Sequence, residues 1–215
     1  MLEYDILAVH RVLDRCIQVI LEEKEELTDI DSHIGDGDMG TSMEKGALAL
    51  KDAVDSYKGD FIGEMLICGG TSFNRAAPST MGTLISMALV TVGQKWKQKS
   101  TLTPEDIVSA PRQLEGAISK FGKAKLGDKT ILDALIPYCN VLELTFSQNG
   151  DLGDSLYQAA LAAEQGAEST KGMKAKSGRA RWLAERNCEY PDGGAVLCAR
   201  IAMRLALDFK ELKEI

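Results

Sequence analysis

Positive charge is in short supply. Twenty-five Lys and Arg face 32 Asp and Glu, a net charge of −7, whereas nucleic-acid binders carry a basic stripe. Histidine is scarcer: only His10 and His33 occur, and neither has a Ser or Cys partner that suggests a catalytic triad. The five cysteines, Cys16, Cys68, Cys139, Cys188 and Cys198, are scattered, with no CxxC spacing. They read as reduced thiols of a cytosolic protein, not as a disulfide frame or a zinc site. The N-terminus, Met1-Leu2-Glu3-Tyr4-Asp5, is acidic and lacks a signal-peptide pattern. One uncharged run, 76–94, is long enough to raise the question of a membrane span, but Pro78, Ser79, Thr80, Gly82 and Thr83 interrupt it. It reads as a buried core helix, and the expectation is a cytoplasmic protein with no membrane or nucleic-acid partner. Alternating strand patterns are also missing, and so are internal repeats and linkers.

What remains is helical periodicity. Residues 3–24 put Ile6, Val9, Leu13, Cys16, Ile17 and Ile20 on one face. An acidic loop is predicted over 27–40 and a second helix over 41–57, with Thr41 or Ser42 as cap. A short third helix, 61–68, is predicted to stop at Gly69-Gly70, leaving 71–80 as a polar loop. A fourth helix follows, with Met81, Leu84, Ile85, Ala88, Leu89, Val92 and Trp96 inward. Thr103-Pro104-Glu105-Asp106 marks a clear start for a fifth, ending near Gly122. Gly127-Asp128-Lys129-Thr130 is a turn into a sixth, in which Pro137 marks a kink or the first turn. An Ala-rich helix spans 152–173, an irregular stretch 171–194, and a last helix 195–211. The 215 residues are thus expected to form one all-α domain of about eight helices in an antiparallel bundle.

The chemistry concentrates in Ile34-Gly35-Asp36-Gly37-Asp38-Met39-Gly40, with Asp29 and Asp31 just upstream. Carboxylates this close repel unless a cation lies among them. Oxygen-only ligands point to Mg²⁺ or Ca²⁺, and the glycines permit tight turns. A solvated acidic turn is the plain alternative. A calcium EF-hand fails on register: counted from Asp29, Asp31 or Asp36, the sixth residue is Ile34, Asp36 or Thr41, never Gly, and the twelfth is Gly40, Ser42 or Ala47, never Glu. Gly69, Gly70, Thr71 and Ser72, or else Ser79 and Thr80 at a helix start, offer donors to phosphate oxygens. Arg179 or Arg181 offers a forked donor to an anion. Each piece alone has an ordinary structural reading, such as a helix stop, a cap or a surface ion pair. Their co-occurrence is what suggests a magnesium site for a phosphate-bearing ligand.

Leu27 to Met43 (LTDIDSHIGDGDMGTSM) resembles the signature of the dihydroxyacetone kinase L-subunit family. GDKTILDALIP at 127–137 and GRARWLAERNCEYPDGGA at 178–195 agree in order and spacing. The resemblance implies an eight-helix antiparallel barrel that holds ADP or ATP and two Mg²⁺ ions in loops at one end. It carries Asp31, Asp36 and Asp38 over as metal ligands. It places Gly127, Thr130 and Ile131 beside the nucleotide, Arg179 in a closing loop, and Asp192 and Gly193 in the stretch that the family writes D-P-G-A. Met39 stands where the family has His, Ser42 where it has Asn and Gly193 where it has Pro. The phosphate loop reads GGTSFNRAAPSTMGT, longer than the family's, so that either Ser72 or Ser79 fills its serine position; the distance to Gly82-Thr83 favours Ser79.

The resemblance further implies phosphoryl transfer to a short-chain ketose such as dihydroxyacetone. A separate sugar-binding K subunit would hold the ketose. In the phosphotransferase form, bound ADP is rephosphorylated in place by a phosphohistidine protein. Alternatives are an ATP-dependent triose or tetrose kinase subunit, a non-catalytic nucleotide-binding regulator, and a two-metal phosphatase. A homodimer is an assembly the sequence leaves open.

Overall fold

The computed structural model describes residues 3–176 and 189–213, and among them almost everything is helix. The order is α1 (Ile6–Glu22), α2 (Lys24–Ile34), α3 (Met39–Asp55), α4 (Ile62–Ala76), α5 (Thr80–Lys95), α6 (Pro104–Gly122), α7 (Leu132–Asn149), α8 (Leu152–Ser169) and α9 (Gly193–Lys213). Two two-residue strands, β1 (Tyr4–Asp5) and β2 (Thr101–Leu102), pair antiparallel and tie the chain start to the α5–α6 connection. Eight helices close a ring: α1 packs on α3, each of α3 to α8 on its successor, and α9 back on α1. The ninth, α2, stands outside this ring and leans on α3 and α9. The expected all-α antiparallel barrel is therefore present, with one helix more than the sequence suggested.

That extra helix corrects the predicted loop at 27–40. Leu27 and Ile30 are buried, 0% and 5% exposed, so the segment carries its own apolar stripe at helical spacing while its carboxylates face away. Only Gly35 to Asp38 remain as a turn, and α3 starts at Met39, with Asp38 rather than Thr41 or Ser42 at the N-cap.

A second correction falls on Gly69-Gly70, which does not end a helix. Gly69 lies against Leu50 and Val54 of α3, and Gly70 against Leu89 and the Ser86 carbonyl of α5. Glycine costs a helix about 1 kcal/mol relative to alanine; here close packing on both flanks offsets it. Gly70, Thr71 and Ser72 therefore sit inside α4 and form no phosphate loop. Their N–H groups belong to the helix, and the Thr71 hydroxyl donates to the Ile67 carbonyl at 2.7 Å. The helix ends at Ala76 because Pro78 keeps Ala77 out of the helical region (φ −126°, ψ 70°).

The α6 start follows the sequence. Thr103 and Asp106 form a reciprocal capping box with Pro104 in the first turn. Pro137 is the sixth residue of α7 and the helix continues through it. Its missing N–H leaves the Asp133 carbonyl without the usual acceptor role, and Gly166 of α8 approaches so closely that a β-carbon would overlap that carbonyl. The Ala-rich face read in 152–173 builds this wall: Ala159, Ala160 and Ala163 are fully buried. The core has two lobes. One is rich in Leu, Ile and Met from α1 to α5, the other rich in alanine from α6 to α9, and Leu197 of α9 joins the first. Among the described residues no helix is long and apolar enough to cross a membrane.

Candidate functional site

In an antiparallel ring every second connection opens at the same end, so the turns before α3, α5, α7 and α9 share one mouth. Contacts at the start of α9 bear this out. Gly193 lies against Met39 and Ile30, and Gly194 against Met81 and Ile131. The described parts of these four connections therefore meet at one end.

The acidic turn is built by α2 and α3. Asp31 comes from the last turn of α2, Asp36 from the turn itself, and Asp38 from the N-cap of α3. One carboxylate oxygen from each lies within 4.8 Å of the others. Glycine makes this approach feasible: a β-carbon on Gly35 would overlap the Asp31 carboxylate, and Gly37 has φ +75°. Asp31 Oδ2 accepts the Met39 N–H at 3.1 Å, and the Asp31 carbonyl accepts the Gly35 N–H at 2.6 Å. Asp38 occupies the N-cap without capping α3 by its side chain. Asp36 and Asp38 are exposed and Asp31 is half-buried. Three acidic oxygens at this spacing suit a hard cation, and the absence of sulfur or imidazole in the set fits Mg²⁺ better than zinc. Asp29 is exposed and stands outside the cluster.

The 127–130 turn is held by a residue that sequence reasoning passed over. Asp133, 1% exposed, accepts the Gly127 N–H at 2.6 Å and the Thr130 N–H at 2.8 Å. The signal was available: Thr130-x-x-Asp133 has capping-box spacing. Thr130 Oγ1 accepts the Leu132 N–H at 3.2 Å, Gly127 takes φ +86°, and Ile131 is half-buried against Gly194. Lys129 was also missed. It is 2% exposed, and its Nζ donates to the Tyr190 carbonyl at 2.7 Å and the Met173 carbonyl at 3.3 Å.

Ser79 caps α5, its Oγ accepting the Gly82 N–H at 3.1 Å, and Thr80 is the exposed first residue of that helix. Asp192 accepts the Ala195 N–H at 2.8 Å and so closes the start of α9. Burial, reinforced by the nearby Asp133, pushes its carboxyl up to about 7, against opposing help from the Ala195 N–H and Lys129. Arg179 and Arg181 lie outside the described residues, as does Cys188. Burial raises the thiols of Cys16, Cys139 and Cys198 to about 12.

Together these features define a class: a helical barrel whose open end gathers a carboxylate cluster, a glycine turn and helix N-termini suited to an anion. The chain belongs to the DAK2 domain family, which matches residues 33–206. It is 32% identical over 200 residues to the Escherichia coli PEP-dependent dihydroxyacetone kinase, ADP-binding subunit DhaL, covering 93% of this chain and 95% of that one. It is 34% identical over 197 residues to the D-erythrulose kinase of Mycolicibacterium smegmatis, covering 89% of this chain and 34% of that protein. The human triokinase/FMN cyclase is 32% identical over 200 residues, covering 88% of this chain and 33% of that one. The chain thus spans about a third of the length of these longer kinases and nearly all of the E. coli subunit. The crystal structure of the C. freundii dihydroxyacetone kinase superposes with a TM-score of 0.70 at 23% identity, over 93% of this chain and 34% of that one. A second structure of that kinase, in complex with AMP-PNP and Mg²⁺, also gives 0.70 at 22% identity; at these identities the likeness speaks for the fold.

Proposed function

We propose that this protein is the nucleotide-binding, phosphoryl-transferring subunit of a short-chain ketose kinase, acting with a separate sugar-binding K subunit. The observation that carries the reading is the Asp31, Asp36 and Asp38 cluster at the barrel mouth, in a chain that matches an ADP-binding subunit over 95% of that subunit. Bound Mg²⁺ would supply charge neutralisation between the phosphates of ADP or ATP. The chain's own residues do the rest by position. The three carboxylates hold the metal, with Asp31 fixed by the Met39 N–H. The first turn of α5, behind Ser79 and Thr80, offers backbone donors to phosphate oxygens. Thr130 and Ile131 face the nucleotide from the turn that Asp133 stiffens. Arg179 serves as an anion donor from the closing segment, and Asp192 and Gly193 set the start of α9.

In the preferred form, ADP stays bound and a phosphohistidine protein recharges it in place, in keeping with the match to a PEP-dependent system. The erythrulose kinase and triokinase relatives favour the second reading, an ATP-dependent triose or tetrose kinase. Met39 at the family's His position favours the third, a nucleotide-binding regulator.

One mixture separates them: the protein with a K subunit, dihydroxyacetone or erythrulose, and either ATP or a PEP-driven phosphodonor protein. Phosphorylated sugar from the phosphodonor alone supports the preferred form, and from ATP alone the second. Free phosphate indicates a phosphatase, and no product a regulator. Retention of ADP through dialysis is expected in the preferred form.

A further inference from the structure

Tyr190 and Asp192 reach three of the segments around the mouth. The Tyr190 ring stacks on His33, with centroids 4.0 Å apart and planes inclined by 17°. His33 belongs to the last turn of α2, the turn that delivers Asp31, and its Nδ1 donates to the Asp29 carbonyl at 2.8 Å. The Tyr190 carbonyl accepts from Lys129 Nζ at 2.7 Å. The Asp192 N–H donates to Thr170 Oγ1 at 2.8 Å, beyond the end of α8. One residue thus touches both the helix of the acidic turn and the turn held by Asp133.

We infer that Tyr190 and Lys129 form a strut across the mouth that keeps the acidic turn and the 127–130 turn in register, which makes Tyr190 a positioning residue for the site. The inference rests on the phosphoryl-transfer reading and deepens it, because metal and nucleotide can engage together only if the two turns keep their separation.

The chemistry of the strut explains its residue types. Lys129 has φ +59°, left-handed and unfavourable for a side chain other than glycine. A free-standing turn has no need of that strain, and a residue that persists in it is held by its surroundings. Here the surroundings are carbonyls. A buried ammonium is costly unless its donors are met, and the carbonyls of Tyr190 and Met173 are among the acceptors that meet them. Moving Tyr190 away would withdraw an acceptor, so the position of the 127–130 turn and that of Tyr190 are linked. On the other side, two flat rings in contact resist shear and add an attraction beyond their buried area.

The test uses the full chain and the variants Tyr190→Ala, Tyr190→Phe and Lys129→Met. Amide hydrogen exchange is followed without ligand at Gly35 and Met39, whose N–H groups bond Asp31, and at Gly127 and Thr130, whose N–H groups bond Asp133. In parallel, the Mg²⁺ concentration for half-maximal ADP retention is measured. Tyr190→Ala is expected to speed exchange at both pairs about five- to tenfold and to raise the Mg²⁺ requirement by a similar factor. Tyr190→Phe keeps the ring and should match wild type in both. Wild-type exchange at both pairs in Tyr190→Ala, or faster exchange at one pair alone, overturns the strut. A wild-type chain that retains no ADP yet shows linked exchange would leave the strut standing and defeat the nucleotide reading. Lys129→Met should loosen the same four amides. If it fails to fold by circular dichroism, the two Tyr190 variants decide.

Discussion

The acidic turn at the mouth uses aspartate in the opposite way from the caps that close helices elsewhere in the barrel, Asp192 at the start of α9 among them. At the end away from the mouth, aspartates close helices. Asp5 accepts the Ala8 N–H at 2.8 Å, Asp151 accepts the Gly153 N–H at 2.8 Å, and Asp106 accepts the Thr103 N–H at 3.1 Å while pairing with Lys99 at 2.6 Å. At the mouth, Asp38 stands in a capping position and does not cap by its side chain, and Asp31 and Asp36 converge on it. Carboxylates that stabilise a fold are spread out, one to a helix end. Three carboxylates gathered on a glycine turn repel one another, and a cation placed among them relieves that repulsion. A third pattern lies on the α1–α3 wall, where His10, Asp14 and Asp55 also gather. There Lys51 already provides the cation, 3.1 Å from both aspartates. The contrast separates an acidic group built for the fold from one suited to a ligand.

The contrast can be broken most sharply at Asp36. Asp36→Ala should lower Mg²⁺-dependent ADP affinity by about 100-fold or more, since the metal contributes several kcal/mol of charge stabilisation, while circular dichroism keeps its helical signal. ADP affinity equal to wild type in that variant, measured by calorimetry, would remove the acidic turn from the site.

Next in size is the other end of the barrel. Gly63 of α4 faces the Gly93 carbonyl and the backbone at Trp96 and Lys97, so a β-carbon there would overlap main chain that cannot rotate away. Gly63→Ala should cost roughly 2–3 kcal/mol, lowering Tm by about 5–10 °C, with ADP affinity preserved in the folded fraction. Thr103→Ala, which opens the capping box, should cost about 1 kcal/mol and lower Tm by about 2–4 °C, again without touching nucleotide binding. A change in ADP affinity from either variant would show that the two ends are coupled.

The last comparison concerns pH. The Asp192 carboxyl titrates near 7 in the folded chain and near 4 when unfolded. Between these values the folded state holds a proton that the unfolded chain has lost. This group's contribution to stability is therefore fully present below about pH 4, falls as pH rises towards about 7, and is level above. Asp192→Asn should flatten that part of the slope, seen as a smaller drop in Tm between about pH 5 and about pH 8 than in wild type. An identical slope would show that the carboxyl is ionised throughout.

Much of the helix inventory was legible because it depends on local periodicity and caps. Thr103-Pro104-Glu105-Asp106 states a helix start within four residues, and the structure places one there. Two boundaries were misread for one reason. Gly69-Gly70 has the local chemistry of a stop, and 27–34 that of an acidic loop, but each is kept helical by what packs against it: Leu50 and Leu89 for the glycines, α3 and α9 for Leu27 and Ile30. The candidate carboxylates Asp31, Asp36 and Asp38 could be picked out because they are close in sequence. Asp133, Lys129 and Tyr190 could not be joined to them, since their contacts reach across 61 and more residues or depend on burial that no short window reveals.

The sequence by itself determined that the chain would be helical and acidic, and that its carboxylates would crowd one glycine-rich stretch, since these follow from residue type and spacing. Tertiary structure alone decided that the turns before α3, α5, α7 and α9 open together, because that depends on the parity of a closed ring. It also decided which polar side chains are buried and held between turns, because a hydrogen bond across the mouth exists only once distant segments have been brought within reach.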